Sequence, residues 1–507
     1  MILYKSTGGK DKKLYSFSEA ILKGIARDGG LLVPEKIPYI SFEQLKTLKQ
    51  TSYQEKAIFV LKQFQTDVSE RTLKNIVEKA YLDNFDNPSI APLVHLKENQ
   101  YLLELWHGPT LAFKDIALQI MPLFFLEAVI KDNKKSVRHL ILVATSGDTG
   151  KAALEGYKDK DDIAIMVFYP YGHVSKLQEL QMTTQVGENV AVYAMDGDFD
   201  AVQRIVKDIF NDKVFNQKLL NKYQTVLSSA NSINWGRLLP QMIYYFSSYI
   251  NLVEKGAVKL GGHVDVVVPT GNFGNILGAF YAKKMGIPIR KLICASNANN
   301  VLTDFFQTGA YDIKHRRLIQ TPSPSMDILI ASNIERLLFM ITNNSKKVSG
   351  WMKDIREKKK FIVDTKTKAI LQHEFYADWV SNRETLLNIK RVYEQTGYFM
   401  DPHTSVAQVV AQKYAQKEGN KIPLIICSTA HWSKFARDVY KAFNNDPVEK
   451  LDEFVLLEAV LKLASTASIP KVIKELKNKS IIYKKRCKAD KEELKDVIVD
   501  FAKFLYN

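Results

Sequence analysis

Cysteine is scarce in this chain: Cys294, Cys427 and Cys487 are the only three in 507 residues. Their wide spacing builds neither a disulfide framework nor a zinc site, so no metal is expected and a reducing cytoplasm is the natural setting. Long apolar runs are also missing. No stretch approaches the roughly 20 residues needed to cross a bilayer, so no membrane association is expected. The first residues, MILYKSTGGKDKK, lack the apolar centre of a secretion signal. Acidic residues are outnumbered, with 55 Asp and Glu against 71 Lys and Arg, a net charge of +16. A basic balance suits nucleic acid. Here, however, the lysines are spread along the chain and concentrate in 346–368 and 471–491, which read as solvated helix faces and loops. There is no zinc finger, RNA-binding signature or basic block interleaved with aromatics, so nucleic acid is not the expected partner. A basic field serves equally well to attract a small phosphorylated anion.

What is present is alternation. A chain of this length exceeds one simple core, and two or three domains are expected. Residues 1–95 read as an N-terminal helical part. Ser18 with Ile21, Leu22 and Ile25 suggests a capped helix ending at Asp28-Gly29-Gly30, and 42–84 are helical by period. In residues 96–230, strands at 140–144, 163–168 and 190–195 each precede a glycine-bearing turn and a helical pattern. Residues 231–445 repeat the scheme with strands at 264–268, 291–295 and 422–427. Residues 446–507 read as a helical extension with a lysine-rich segment, and 343–395 as lysine-rich helix. Strand, turn, helix in repetition predicts parallel sheets with helices packed on their faces, an α/β fold.

Within that frame one stretch carries chemistry, LELWHGPTLAFKDIALQ from Leu103 to Gln119. An apolar run (Tyr101 to Trp106) reads as a strand, His107-Gly108-Pro109-Thr110 as a turn, and a helix starts around Leu111. Lys114 then lies in a first helical turn, where the helix dipole opposes its protonation. A neutral lysine amine attacks aldehydes, so the placement suits Schiff-base chemistry. A plain surface lysine beside Asp115 is the blander reading.

Four further segments carry candidate ligands. PTGNFGN (Pro269 to Asn275) offers backbone N–H groups at a helix start, where an anion can sit; it lacks the lysine of a P-loop. TSGDTG (Thr145 to Gly150) can grip a carboxylate, or Ser146 or Asp148 can cap the helix; the two roles are compatible. In NSINWGRLLPQ (Asn231 to Gln241), Ser232 and Asn234 can donate hydrogen bonds, and Arg237 can fork onto a phosphate or lie on an exposed helix face. In CSTAHWSKF (Cys427 to Phe435), Thr429 offers a hydroxyl or simply ends a strand. His403 and His431 could equally be structural.

The segment HGPTLAFKD resembles the lysine segment of threonine synthases, pyridoxal-phosphate (PLP) enzymes of fold type II. The segments quoted above, with STGG and DGGLLVPEKIP near the N-terminus and VSKLQELQM and GDFDAVQ further on, resemble that family in the same order over nearly the whole chain. Gly236 replaces an expected alanine, and Trp432 an expected proline. The resemblance implies two parallel-sheet α/β domains with PLP in the cleft between them, plus helical N- and C-terminal parts. It implies conversion of O-phospho-L-homoserine and water to L-threonine and phosphate, by a monomer or homodimer. Lys114 would hold PLP and then act as base. Gly271, Asn272, Phe273, Gly274 and Asn275 would hold its phosphate, and Thr429 would face its ring nitrogen. Ser146, Gly147, Asp148 and Thr149 would face the substrate carboxylate. Lys151, Ser232, Asn234 and Arg237 would meet the substrate and its phosphate. Rivals are another fold type II lyase, such as a dehydratase or phospho-lyase relative, and a non-catalytic binding protein.

Overall fold

Strand Ile163–Pro170 is buried along its whole length, and so is Val264–Pro269. Strands without a wet face belong to sheets covered on both sides, and each of these lies inside one parallel sheet. The computed structural model describes residues 1–506 except 65, 133–136, 146, 198, 420, 445–450 and 464–466, and gives no side chains for 199 and 200.

One sheet has five strands in the order Arg486–Cys487, Val190–Met195, Ile163–Pro170, Arg138–Ala144, Thr225–Ser228, all parallel. The other has six, in the order Phe375–Trp379, Ile289–Ser296, Val264–Pro269, Leu424–Ser428, Gln100–Glu104, Leu93–Lys97. Only its last pair is antiparallel. Helices cover the sheets; Asp148–Tyr157 packs on Ile163–Pro170, and Pro402–Glu418 on Leu424–Ser428. Among the described residues no helix is long and apolar enough to cross a membrane.

The α/β architecture with two parallel sheets is as expected, and the expected strands are found to within two residues at either end. The sheets, however, divide the chain differently from the boundary expected at 96. Gln100–Glu104 pairs with Leu424–Ser428, and Leu93–Lys97 with Gln100–Glu104, so the strand leading to Lys114 belongs to the sheet of the C-terminal half. Strands Thr225–Ser228 and Phe375–Trp379 escape the sequence pattern. The first is short, and the second sits in a lysine-rich stretch that reads as helix. The C-terminal part is helical but also supplies the edge strand Arg486–Cys487.

At the N-terminus the helix Phe17–Lys23 is capped by Ser16, not Ser18. Glu19 lies three residues after Ser16 and closes a capping box, and the helix ends at Gly24, short of Asp28. The periodic stretch 42–84 is three helices, Phe42–Lys46, Tyr53–Gln63 and Glu70–Tyr81, two of which also begin with capping boxes.

Candidate functional site

Four strand ends converge. Lys114 follows Gln100–Glu104, the glycine turn follows Val264–Pro269, and Thr429 follows Leu424–Ser428, all in the six-stranded sheet. The turn 145–149 follows Arg138–Ala144 in the other sheet. Ligands of open α/β sheets bind beyond such carboxyl ends. One cavity of about 90 Å³ is lined by Lys114, Thr149, Ser232, Arg237, the whole of Gly271–Asn275 and Thr429. A larger cavity of about 340 Å³ nearby is lined by Lys151, Glu155 and Lys158. The smaller one is the candidate site, because the reactive groups converge there.

Lys114 opens a helix, but a short one, Lys114–Leu118, so the expected dipole effect is small. Leu111, where the helix was expected to begin, instead has a left-handed backbone with φ 60°. Burial is the main cause that lowers the Lys114 ammonium's pKa; the Asp148 carboxylate opposes this, while Lys434 and Arg237 add to it. The Lys114 Nζ donates to Asp148 Oδ2 at 3.3 Å and to Ser325 Oγ at 3.2 Å, and lies 4.6 Å from the Phe113 ring centre. Asp115 points the other way, accepting from the Thr110 N–H and hydroxyl at 2.9 and 2.6 Å, and burial raises its pKa to about 6.

Asp148 is almost fully buried. Burial alone would raise its pKa, but Lys434 and Lys114 hold it well below the carboxylate range. Its Oδ1 accepts from Lys434 Nζ at 2.6 Å and from Gln178 Nε2 at 2.8 Å. The side chain is therefore committed to cations of the protein and is not itself a grip for a substrate carboxylate. Gly147 before it has φ 126°, and a Cβ there would lie 2.6 Å from Gln178. Ser146 lies outside the described residues.

In the glycine turn Gly271 is required by close approach, since a Cβ would meet Ser325 O at 2.4 Å. Phe273 holds a left-handed backbone at the start of helix Gly274–Lys284. The Asn275 Oδ1 accepts from Tyr244 Oη at 2.7 Å and from Tyr245 Oη. Asn272 Oδ1 accepts from Ser332 Oγ at 3.2 Å, and Ser332 is in turn 3.1 Å from Ser232 Oγ.

Arg237 is 3% exposed, donates from Nη1 to Ala230 O at 2.8 Å, and has no carboxylate partner among the described residues. Burial pulls its pKa down to about 10. Three buried polar atoms without a partner, Arg237 Nε, Gln241 Oε1 and Asn275 Nδ2, belong to residues lining this one cavity. Two of them, Arg237 Nε and Asn275 Nδ2, are orphaned donors, and beside a glycine turn they suit a phosphorylated ligand. The lysine, the turn and the Thr429 hydroxyl fit PLP.

Two expected residues are not brought in. Asn234 caps its own helix through the Gly236 N–H at 2.9 Å and donates to Ile21 O at 2.8 Å, so it ties down the N-terminal helix. Lys151 pairs with Glu155 at 3.0 Å and with Gln185, because a residue two positions beyond Thr149 lies on the opposite side of the helix and faces the larger cavity. At the two departures, a Cβ on Gly236 would lie 3.1 Å from the flexible Met121, and Trp432 packs edge-on against Phe399, 5.1 Å between ring centres.

Ser325, His403, Gln178 and Lys434 belong to the site although nothing in the sequence assigned them a role there. His403 Nε2 accepts from the Ser325 N–H at 3.1 Å, and its Nδ1 is 2.6 Å from Asp401 Oδ2. Gln178 and Lys434 had as sequence signal only membership of VSKLQELQM and CSTAHWSKF. His431 does not line this cavity; burial lowers its pKa to about 3.

Three family models match successive parts of the chain: threonine synthase N terminus over residues 3–81, pyridoxal-phosphate dependent enzyme over 86–428, and threonine synthase C-terminal over 404–498. The chain is 46% identical to human threonine synthase-like 1 over 435 residues, which is 84% of this chain and 58% of that protein. It thus spans less than two thirds of that relative's length. It is 37% identical to threonine synthase of Saccharomyces cerevisiae over 492 residues, covering 91% of this chain and 93% of that one. The crystal structure of PLP-bound threonine synthase from Brucella melitensis matches with a TM-score of 0.86 at 34% identity, covering 99% and 100% of the two chains.

Proposed function

The chain belongs to the threonine synthase family of fold type II PLP enzymes, and from that premise we propose that it converts O-phospho-L-homoserine and water to L-threonine and phosphate. The observation that carries the reading is Arg237, a buried cation without an acidic partner among the described residues, in the same cavity as Lys114 and the glycine turn. A reaction on an unphosphorylated amino acid needs one phosphate site, for the cofactor. This cavity offers two sets of anion donors.

Bound PLP supplies an electron-withdrawing ring that makes the substrate's Cα–H acidic. The protein's part is placement and proton transfer. Lys114 Nζ would hold the cofactor and, as a neutral amine, take the Cα proton. The N–H groups of Gly271–Asn275, at the start of Gly274–Lys284, would bind the cofactor phosphate, and the Thr429 hydroxyl would face the ring nitrogen. Arg237 and Ser232 would fix the substrate phosphate. The N-terminus of Asp148–Tyr157, with Gly147, Thr149 and Ser146, would hold the substrate carboxylate. The burial of Lys114, Arg237, Asn275 and Thr429 limits the water that competes for these donors. Three buried free cysteines suit a reducing, cytoplasmic setting.

A phospho-lyase that releases phosphate and yields 2-ketobutyrate and ammonia would use the same donors, and products separate the two. Given O-phospho-L-homoserine, the chain should release phosphate and L-threonine in equal amounts. Phosphate matched by 2-ketobutyrate would replace this reading with the lyase, and no phosphate release would remove both.

A further inference from the structure

The mechanism above leaves one buried ion unused. Lys434, whose side chain is 0% exposed, lies at the end of the CSTAHWSKF segment. Its Nζ is 2.6 Å from Asp148 Oδ1 and donates to Thr110 O at 2.9 Å. On the other oxygen of the same carboxylate, Lys114 is at 3.3 Å, and Ser325 Oγ also donates to it at 3.3 Å. Two buried ammonium groups thus share one carboxylate, and Arg237 adds a third positive charge to Lys114's surroundings.

In a dry pocket holding that excess of positive charge, a guanidinium keeps its proton and the more weakly paired of the two ammonium groups sheds one. Lys434 has the short contact and a second acceptor. Lys114 has the long contact, shared with a hydroxyl. We propose that Lys434 is a positioning residue of this site, whose ammonium takes up the Asp148 carboxylate and so leaves Lys114 the weakly held cation that gives up its proton more readily. Lys434 acts through Asp148, and the inference rests on Lys114 being the reacting lysine.

The other groups around Lys114 do not offer the same control. Asp115 on its own helix is turned to Thr110. His403, on Pro402–Glu418, is held by Asp401 and the Ser325 N–H. Ser325 and the Phe113 ring carry no charge. Arg237, on Trp235–Leu238, has no route to Asp148 among its bonds. Besides burial and Arg237, the charge on Lys114 is therefore controlled through Asp148 and by what else holds Asp148.

The test reads the proton on Lys114 directly. The full chain, freed of cofactor, is labelled with trace acetic anhydride across a pH series, and the acetylation of Lys114 is followed by peptide mass spectrometry. The rate of PLP uptake, followed by absorbance, is measured over the same series. In Lys434→Met the whole Asp148 charge falls on Lys114. The midpoint for both readouts should rise by roughly 1–2 pH units. Lys434→Arg, which keeps the cation, should stay close to the parent. Asp148→Asn should move the midpoint the opposite way. If Lys434→Met does not fold, Lys434→Gln, which can still donate to Asp148 and Thr110, takes its place. A folded neutral variant with an unmoved midpoint overturns the proposal, as does Lys434→Arg shifting as far as Lys434→Met. None of these readouts depends on threonine being made, so the inference and the proposed reaction fail separately.

Discussion

At the scale of single residues, Lys114 must be neutral to react and yet lies 3.3 Å from a carboxylate. Burial, with help from Lys434 and Arg237, outweighs that carboxylate. Lys114→Ala should fold, since it removes a weakly paired cation and leaves Asp148 bound to Lys434 and Gln178. Turnover should fall by at least the roughly 10²–10⁴-fold that loss of a general base costs. Borohydride reduction and peptide mapping should place the pyridoxyl group on Lys114, and a label on another lysine would sink the assignment. Arg237→Met should fold for a related reason, because no buried acid loses its partner. It should lower kcat/KM for phosphohomoserine roughly tenfold to a few hundredfold while PLP affinity holds. An equal loss of PLP affinity would put Arg237 on the cofactor's phosphate instead. That Lys114, Thr429 and the turn 271–275 stand at strand-to-helix turns was legible because each lies in a contiguous segment, whereas their convergence with Arg237 on one cavity was not. Nor were Ser325 and Lys434, since they reach Lys114 and Thr110 across more than 200 residues of chain. No local pattern records such an approach.

Elements bring a second kind of constraint, in how turns meet. The backbone of Pro324–Met326 rests on Gly271, and Ser325 O would lie 2.4 Å from a Cβ there. Gly271→Ala should therefore push that turn away and take the Ser325 hydroxyl off Lys114. A cost of about 1–3 kcal/mol in stability is expected, with PLP affinity down about tenfold or more. Thermal melts and fluorescence titration check this, and unchanged values in both would show that the two turns move independently. A clasp beyond strand Gln100–Glu104 works through charge. His107 Nδ1 lies 2.6 Å from Asp86 and Nε2 2.9 Å from Glu104, and although burial opposes the charge, these carboxylates raise the His107 pKa to about 9. In the unfolded chain the ring titrates near 6.5. Its contribution is therefore full below that pH and is lost as pH rises through about 9. Asp86 is more than half exposed, so the contribution is on the order of 1–2 kcal/mol rather than the full shift. Urea midpoints should converge between the parent and His107→Gln as pH goes from 6.5 to 9.5. A constant gap would show that His107 acts by packing.

The molecule as a whole is assembled by strands that leave their own stretch of sequence. Residues 93–104 join the sheet of the C-terminal half and thereby bring Lys114 to the glycine turn. Periodicity shows that a strand exists but not which sheet it enters, which is why the element types were legible and the division of the chain was not. The chain's last part makes the same move in reverse. Arg486–Cys487 pairs with Val190–Met195, and Lys491–Tyr506 packs Leu494, Ile498 and Phe501 into the cluster formed by Leu140, Met166 and Phe168. Each of those three side chains is worth about 1.5–3 kcal/mol of burial. Together they approach the roughly 5–15 kcal/mol by which a domain is stable at all. The same sheet carries the turn that presents Asp148, so its loss would reach the site. A chain ending at Lys485 should be recovered mostly insoluble. Any soluble fraction should melt well below the full chain and bind PLP weakly, because the sheet that carries the turn at Asp148 would lose its edge strand and part of its cover. A truncated chain with the parent's melting temperature and PLP affinity would show that the extension covers the sheet without supporting it.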